Sequence, residues 1–205
     1  MPKYPLFLPP FEFANKPPLQ WSAKEARLYF NWLLSIHRER IDGLLTFFEE
    51  PLTGSPCADL DRLGTHVAKT IVTPDFSRRI GLVPKNFKPS QIPPSREEIS
   101  AYFQHLNQTG PKLTNAGYAL AADMGLLVAK FLLSECGDRI KWSILKRPKS
   151  DMSYNLPVLI GFSTLQHLDP IGGSIAEAYG ILRGNRGAAI WKDIFIFWKE
   201  KASQQ

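Results

Sequence analysis

Residues 114–133 read TNAGYALAADMGLLVAKFLL, and this stretch decides the fold. Apolar residues cover every face of the helix that it would form, and a helix that is apolar all round is buried on all sides. Thr114 or Asn115 can cap its start, and Gly137 follows its last turn, as expected at a helix C-terminus. The sequence therefore predicts a central helix around which the rest of the chain packs.

Amphipathic helices are predicted on both sides of the central helix. Ser22 and Glu25 have the spacing of a capping box, and apolar residues then recur at the helical period as far as Phe48. The polar patch at residues 37–40 is expected to be a solvated turn of this first helix. Further helices are predicted over residues 59–72, 95–106 and 169–184. A last helix after residue 187 is expected to carry Ile190, Ile194, Phe197 and Trp198 on one apolar stripe.

Two short segments after the central helix have the pattern of strands. Residues 140–146 begin with alternating apolar and polar side chains, and residues 156–162 form an apolar run with Pro157 near its start. A polar, basic loop joins them, so a small hairpin-like pair is expected. Two strands are not stable alone and must pack on helices.

The predicted fold is a mainly α single domain, residues 1–205, with a minor two-stranded β element. It is a bundle of about six helices around the central apolar helix. Residues 1–20 are rich in Pro and Phe and are predicted to be an arm laid over the domain, with its aromatic side chains in grooves, or alternatively a peptide arm that engages a partner. Residues 73–94 hold five prolines and are predicted to be a long functional or flexible loop.

Composition points to a cytoplasmic protein with an acidic partner. The formal net charge is +6 and the isoelectric point is near 9.3, a balance that favours an acidic protein face, nucleic acid or anionic lipid. The basic residues are spread along the chain, so an ordinary solvated surface is the alternative interpretation. Cys57 and Cys136 lie far apart and fit free thiols in a reducing compartment. Asp123 and Lys130 interrupt the longest apolar run, so no membrane span is expected. No histidine has metal-ligand spacing, so neither a metal nor a cofactor is expected.

Asp123 is the ionisable residue in the middle of the apolar helix. A buried carboxylate must be paired, hydrogen-bonded or protonated, because an isolated buried charge is costly. One interpretation is structural, with Asp123 bonded to a Trp or Tyr side chain, a backbone amide or an Arg in the core. The alternatives are a carboxylate that lines a pocket as an acid, base or ligand anchor, and simple exposure in a notch between small residues.

The basic loop between the two strands is the best candidate for a partner-binding surface. It combines basic and aromatic side chains, a combination used by protein interfaces and by nucleic-acid-binding proteins. An ordinary solvated loop is the third interpretation. The candidate partner-binding residues are Lys141, Trp142, Lys146, Arg147, Lys149 and Tyr154.

The chain resembles a group of small bacterial helical proteins. The resemblance rests on the opening helix from Ser22 to Trp32, on Asp123-Met124-Gly125, on Lys141-Trp142, on the strand at residues 156–162 and on Asp169-Pro170-Ile171. It implies an immunity protein that neutralises a secreted toxin by direct binding. The first hypothesis is thus a non-enzymatic cytoplasmic interaction protein. The alternatives are a nucleic-acid-binding accessory protein that uses the basic loop, and an enzyme with a pocket around Asp123.

Overall fold

The computed structural model describes residues 3–79, 110–163 and 166–203. Over these ranges the chain is mainly α-helical with a minor β component, as the sequence predicts. Five α-helices occur in the described ranges: α1 (Ala23–Phe48), α2 (Pro56–Ile71), α3 (Asn115–Cys136), α4 (Pro170–Leu182) and α5 (Ile190–Ser203). The helix predicted over residues 95–106 lies outside them, as does most of the Pro-rich loop.

Helix α3 is the core of the molecule, as its sequence predicts. It packs against α1, α2, α4 and α5, and 15 of its 22 residues are buried. Thr114 caps its start by accepting a hydrogen bond from the Gly117 amide. The first turn of α4 crosses it closely, because Gly125 leaves no room for a side chain beneath the Pro170 carbonyl. The apolar, small-residue composition of α3 therefore lets four helices approach it.

Helices α1 and α2 both pack on the central helix α3, and the N-terminal arm lies against α1. The predicted capping box is present, with Ser22 and Glu25 hydrogen-bonded to each other's backbone amides. Helix α2 begins at Pro56, three residues earlier than predicted, because proline suits the first turn of a helix. This places Asp59 inside the helix, where it is fully buried and accepts hydrogen bonds from the Thr53 amide and hydroxyl.

Two small antiparallel sheets complete the fold. The predicted hairpin is β3 (Lys141–Ile144) with β4 (Pro157–Ile160), and Trp142 lies opposite Leu159. A second pair, β1 (Ser77–Arg79) with β2 (Pro111–Leu113), was not expected, because residues 77–79 fall within the Pro-rich loop of the prediction. Three-residue strands are too short to produce a readable alternation of polar and apolar side chains.

One helical segment in the described ranges, Asn115–Arg139, is long and apolar enough to cross a membrane. Within the most apolar 18-residue stretch of this segment, 78% is buried inside the fold. The core helix of a soluble protein passes the same test of length and composition, so this segment is weak evidence for a span.

Candidate functional site

Asp123 lies in a buried ionic cluster that holds the N-terminal arm. Its side chain is 0% exposed, and its two carboxylate oxygens accept a bidentate pair of hydrogen bonds from Arg40, Nε to Oδ1 at 2.8 Å and Nη2 to Oδ2 at 2.6 Å. The Tyr4 hydroxyl also donates to Oδ2, at 2.6 Å. Arg40 then donates to the backbone carbonyls of Pro5 and Leu6, both at 3.1 Å. Helix α1, helix α3 and the arm are therefore joined by one network, which we call the arm clasp (Tyr4, Arg40 and Asp123).

Burial dominates the electrostatics of the arm clasp. It raises the pKa of Asp123 from 3.8 to about 6, although the hydrogen bond and charge of Arg40 and the hydrogen bond from Tyr4 lower it. Burial, with the neighbouring carboxylate of Asp123, also raises the pKa of Tyr4 well above its ordinary value. Both carboxylate oxygens of Asp123 are engaged by side chains of the chain itself. The geometry is that of a structural carboxylate.

Arg40 corrects one expectation from the sequence. Residues 37–40 were expected to form a solvated turn, but Arg40 is only 9% exposed. It follows Leu33 by seven residues and precedes Leu44 by four, so it falls on the same helix face as these two buried leucines. The helical spacing therefore places Arg40 on the buried face of α1, but its positive charge led to the prediction of a solvated position.

The largest cavity near the predicted partner-binding loop is an open groove of about 850 Å³ between the β3–β4 hairpin and α5. We call it the hairpin groove. Its polar lining residues are Arg147, Asp151, Ser163, Gln166 and His167, and its apolar ones are Leu145, Pro148, Ile160, Phe162, Phe197 and Trp198, with Gly161 between the strand and the loop.

The loop that forms one wall of the hairpin groove is anchored at its base. The Asn155 amide donates to the Leu145 carbonyl at 2.8 Å, and the Asn155 side chain donates to the carbonyls of Pro18 and Trp21, both at 2.9 Å. Asn155 has a φ of 65°, a left-handed conformation that asparagine tolerates better than most residues. Asp151 accepts from the Ser153 amide at 2.8 Å, which fixes the turn. The loop is thus tied to the segment that leads into α1.

The opposite wall of the groove is aromatic. Trp198 of α5 packs on Phe162 with ring centroids 4.5 Å apart, and Phe197 packs edge-on against Trp198. The Ser163 amide donates to the Lys201 carbonyl at 3.0 Å, so the chain after β4 is fixed to the end of α5. The Lys201 ammonium lies over the Phe197 ring at 5.6 Å from its centroid. This wall is therefore apolar with positive charge beside it.

The titratable groups of the groove are Arg147, Asp151 and His167. His167 Nε2 lies 3.5 Å from Asp151 Oδ2, so the carboxylate is engaged by a neighbour within the groove. Asp169, two residues after His167, caps α4 by accepting from the Gly172 amide at 2.8 Å, and burial raises its pKa. Among the described residues, no cluster of three or more His, Cys, Asp or Glu side chains is arranged to hold a metal ion.

The candidate partner-binding residues do not share one site. Arg147 lines the hairpin groove, and Lys146 and Lys149 are exposed beside it on the same loop. Trp142 is half-buried and packs against the core, and Lys141 lies on β3, where it pairs with Ile160. Tyr154 is half-buried near the end of the loop.

Sequence reasoning missed the α5 side of the groove. Phe197 and Trp198 were assigned to the buried stripe of the last helix, but the fully buried residues of α5 are Trp191, Phe195 and Ala202, and Phe197 is 48% exposed. Helix α5 begins IWKDIFIFW, so more than one stripe of it is apolar. The apolar residues outside the buried stripe were the sequence feature that could have indicated an exposed apolar face on α5.

Comparison with family models, with curated proteins and with solved structures finds no match for this chain.

Proposed function

We propose that the protein is a non-enzymatic interaction protein that binds an acidic, extended segment of a protein partner in the hairpin groove. The observation that carries this proposal is the pairing of an aromatic wall, Phe162 with Phe197 and Trp198, with the guanidinium group of Arg147 in one open groove. Arginine and the large aromatic residues are the types that dominate binding energy at protein interfaces. Small-molecule sites bury most of their ligand, whereas this groove is open to solvent, which favours a peptide segment as its occupant.

Exposed apolar side chains support a protein partner. Met152, at the tip of the loop, is 96% exposed, and Phe197 is 48% exposed. Phe197 is a lining residue of the groove, and Met152 directly follows the lining residue Asp151 in the sequence. Removing such apolar surface from water favours association by about 25 cal/mol per Å². Methionine and phenylalanine are also enriched in the cores of protein interfaces.

Charge supports an acidic partner. Lys146, Arg147 and Lys149 are consecutive or nearly consecutive on the exposed loop. The Asp151 carboxylate within the groove lies 3.5 Å from His167 Nε2. Complementary charge of this kind accelerates encounter and selects the partner. On the resemblance described above, we propose a bacterial toxin domain as the partner to test first, and the bacterial cytoplasm as the compartment where binding occurs.

Nucleic-acid binding is the second candidate, favoured by the exposed basic residues beside aromatic rings. A nucleic acid needs a track of cations for its phosphates. Elsewhere on α5, Lys192 pairs with Asp61 and Lys199 pairs with Glu135. These two lysines of α5 are thus engaged by acidic side chains, which shortens the track of free cations among the described residues and favours a short acidic protein segment over an extended phosphate backbone.

A selection experiment tests the proposal. Random peptides displayed on phage are selected on the immobilised wild-type protein and, in parallel, on Arg147→Glu/Lys149→Glu. We expect enrichment of peptides rich in Asp and Glu on the wild type and loss of that enrichment on the variant. The matched control is Arg38→Glu/Lys69→Glu, which changes the net charge equally on exposed positions of α1 and α2.

Two results would overturn the proposal. One is enrichment that is equal on the wild type and on the groove variant. The other is tight binding of single-stranded DNA or RNA, lost in the groove variant and falling steeply between about 50 and 200 mM salt, because phosphate binding has that salt dependence.

A further inference from the structure

A second, smaller cavity lies behind Trp198, between α3, α4 and α5. Its volume is about 160 Å³. We call it the apolar pocket. Its lining residues are Gly125, Val128, Leu168, Pro170, Gly173, Ser174, Glu177, Trp191, Ile194 and Trp198. A cavity of about 150 Å³ lined by apolar side chains is large enough to bind a molecule the size of benzene. The apolar pocket therefore has room for one apolar side chain.

The two polar side chains that line the apolar pocket, Ser174 and Glu177, already have partners within the chain. The Ser174 hydroxyl donates to the Ala121 carbonyl at 2.6 Å and accepts from the Trp191 indole at 2.7 Å. Glu177 is paired with Arg186 at 2.8 Å. A polar occupant would lose its hydrogen bonds to water, and these side chains offer few free partners to replace them. Burying a polar group without compensating hydrogen bonds is costly. The chemistry of the lining therefore selects an apolar occupant.

The apolar pocket adjoins the hairpin groove. Trp198 lines both cavities, and the neighbouring residues His167 and Leu168 line the groove and the pocket respectively. The two cavities are therefore adjacent, and a side chain of a segment bound in the groove is close to the pocket. Gly173 contributes no side chain to the pocket, and a Cβ built at this position would meet no heavy atom within 4 Å.

We infer that the apolar pocket is the specificity pocket for the partner segment, and that it takes one Leu-sized or Phe-sized side chain close in sequence to the acidic residues that Arg147 binds. This inference rests on the proposed function of the hairpin groove. It adds to it the class of peptide recognised: acidic residues with a single apolar anchor beside them. Buried anchors of this type commonly dominate the affinity of an interface.

Gly173→Leu is the substitution that tests the pocket. Gly173 lines the pocket and a Cβ built there meets no heavy atom within 4 Å, so we expect a Leu side chain at this position to occupy the cavity without a clash at its Cβ. Gly187→Leu is the matched control, because a Cβ at that position also has no heavy atom within 4 Å and Gly187 is not a lining residue. Circular dichroism and the thermal midpoint establish that both variants fold.

The probe is the best acidic peptide from the selection, together with a copy in which its apolar residue is replaced by Ala. On the wild type and on Gly187→Leu, we expect the replacement to weaken binding about tenfold to a hundredfold, as burial of one large apolar side chain implies. On Gly173→Leu, the original peptide is expected to bind as weakly as its Ala copy. Toluene is expected to shift the NMR signal of the Trp198 indole in the wild type and not in Gly173→Leu.

The outcomes separate the two claims. If acidic peptides bind through Arg147 but the apolar replacement costs nothing, or if Gly173→Leu binds like the wild type, the pocket inference is overturned and the groove proposal stands. If no acidic peptide depends on Arg147 and Lys149, the proposed function is overturned and the anchor role falls with it. In that case, the toluene experiment still decides whether the pocket accepts an apolar group.

Discussion

The arm clasp makes a quantitative prediction about stability. We consider a double-mutant cycle in which Arg40→Met and Asp123→Ala are made singly and together. Arg40→Met leaves the Asp123 carboxylate buried with Tyr4 as its remaining side-chain partner. Breaking a buried ion pair by removing one member costs about 3–5 kcal/mol. We expect a loss in that range, because Asp123 is 0% exposed and Arg40 only 9%.

The reverse substitution is expected to cost less. Asp123→Ala leaves Arg40 buried, but its guanidinium still donates to the carbonyls of Pro5 and Leu6. We expect a cost near the lower end of the same range, about 3 kcal/mol. The double variant removes both charges, so it should be more stable than the sum of the single effects predicts, by about 2 kcal/mol or more.

The assay is equilibrium unfolding in urea, with the free energy of unfolding extrapolated to water for the four proteins. Tyr4→Phe serves as an internal check. It removes one hydrogen bond to a charged acceptor and should cost about 1.5–3 kcal/mol in the wild type, with little further effect in Asp123→Ala. Single effects that add within about 0.5 kcal/mol would show that the three side chains do not act as one unit.

Three further predictions concern pH, the loop anchor and helix packing. The folded pKa of Asp123, about 6, lies above its unfolded value of 3.8, so its stabilising contribution is fully present below about pH 4 and is lost as the pH rises through about 6. Urea unfolding at several pH values should therefore show the wild type gaining about 2 kcal/mol over Asp123→Asn between about pH 7 and pH 4, and parallel curves would contradict this. Asn155→Gly loses the two side-chain hydrogen bonds that anchor the loop, and Asn155→Ala also places a side chain at a φ of 65°, so thermal unfolding should find Ala less stable than Gly by about 1 kcal/mol. Equal thermal midpoints for the Gly and Ala variants would mean that residue 155 does not keep its left-handed conformation. Gly125→Ala would drive a methyl group into the Pro170 carbonyl and should destabilise the protein measurably in urea, whereas Gly173→Ala, in open space, should be neutral or stabilising by up to about 1 kcal/mol.

The helices and the hairpin could be predicted because their signals are local. Capping residues, the spacing of apolar residues in α1 and the all-round apolar character of α3 are each read within one segment. The buried state of Asp123 followed from its apolar neighbours, but its partners did not. Arg40 is 83 residues away in sequence and Tyr4 is 119 residues away, so only the tertiary structure joins them.

The hairpin groove required the same kind of long-range information. The basic residues of its loop side were visible in the sequence, because charge and aromatic content are local properties. Its other wall comes from α5, where Phe197 and Trp198 had the composition of a buried stripe. A single helix with apolar residues on more than one face does not reveal which face finds a neighbour. The packing of Trp191 and Phe195 against the core settled this, and it left Phe197 at the surface.

The central claim is that the hairpin groove binds an acidic protein segment, and one affinity comparison tests it most directly. The dissociation constant of the best selected acidic peptide is measured by fluorescence anisotropy for the wild type, for Arg147→Glu/Lys149→Glu and for the control Arg38→Glu/Lys69→Glu. We expect the groove variant to bind at least about tenfold more weakly, a change of about 1.4 kcal/mol, and the control to bind like the wild type. Equal weakening in both variants would mean that net charge alone governs binding, and unchanged binding in the groove variant would place the partner elsewhere on the molecule.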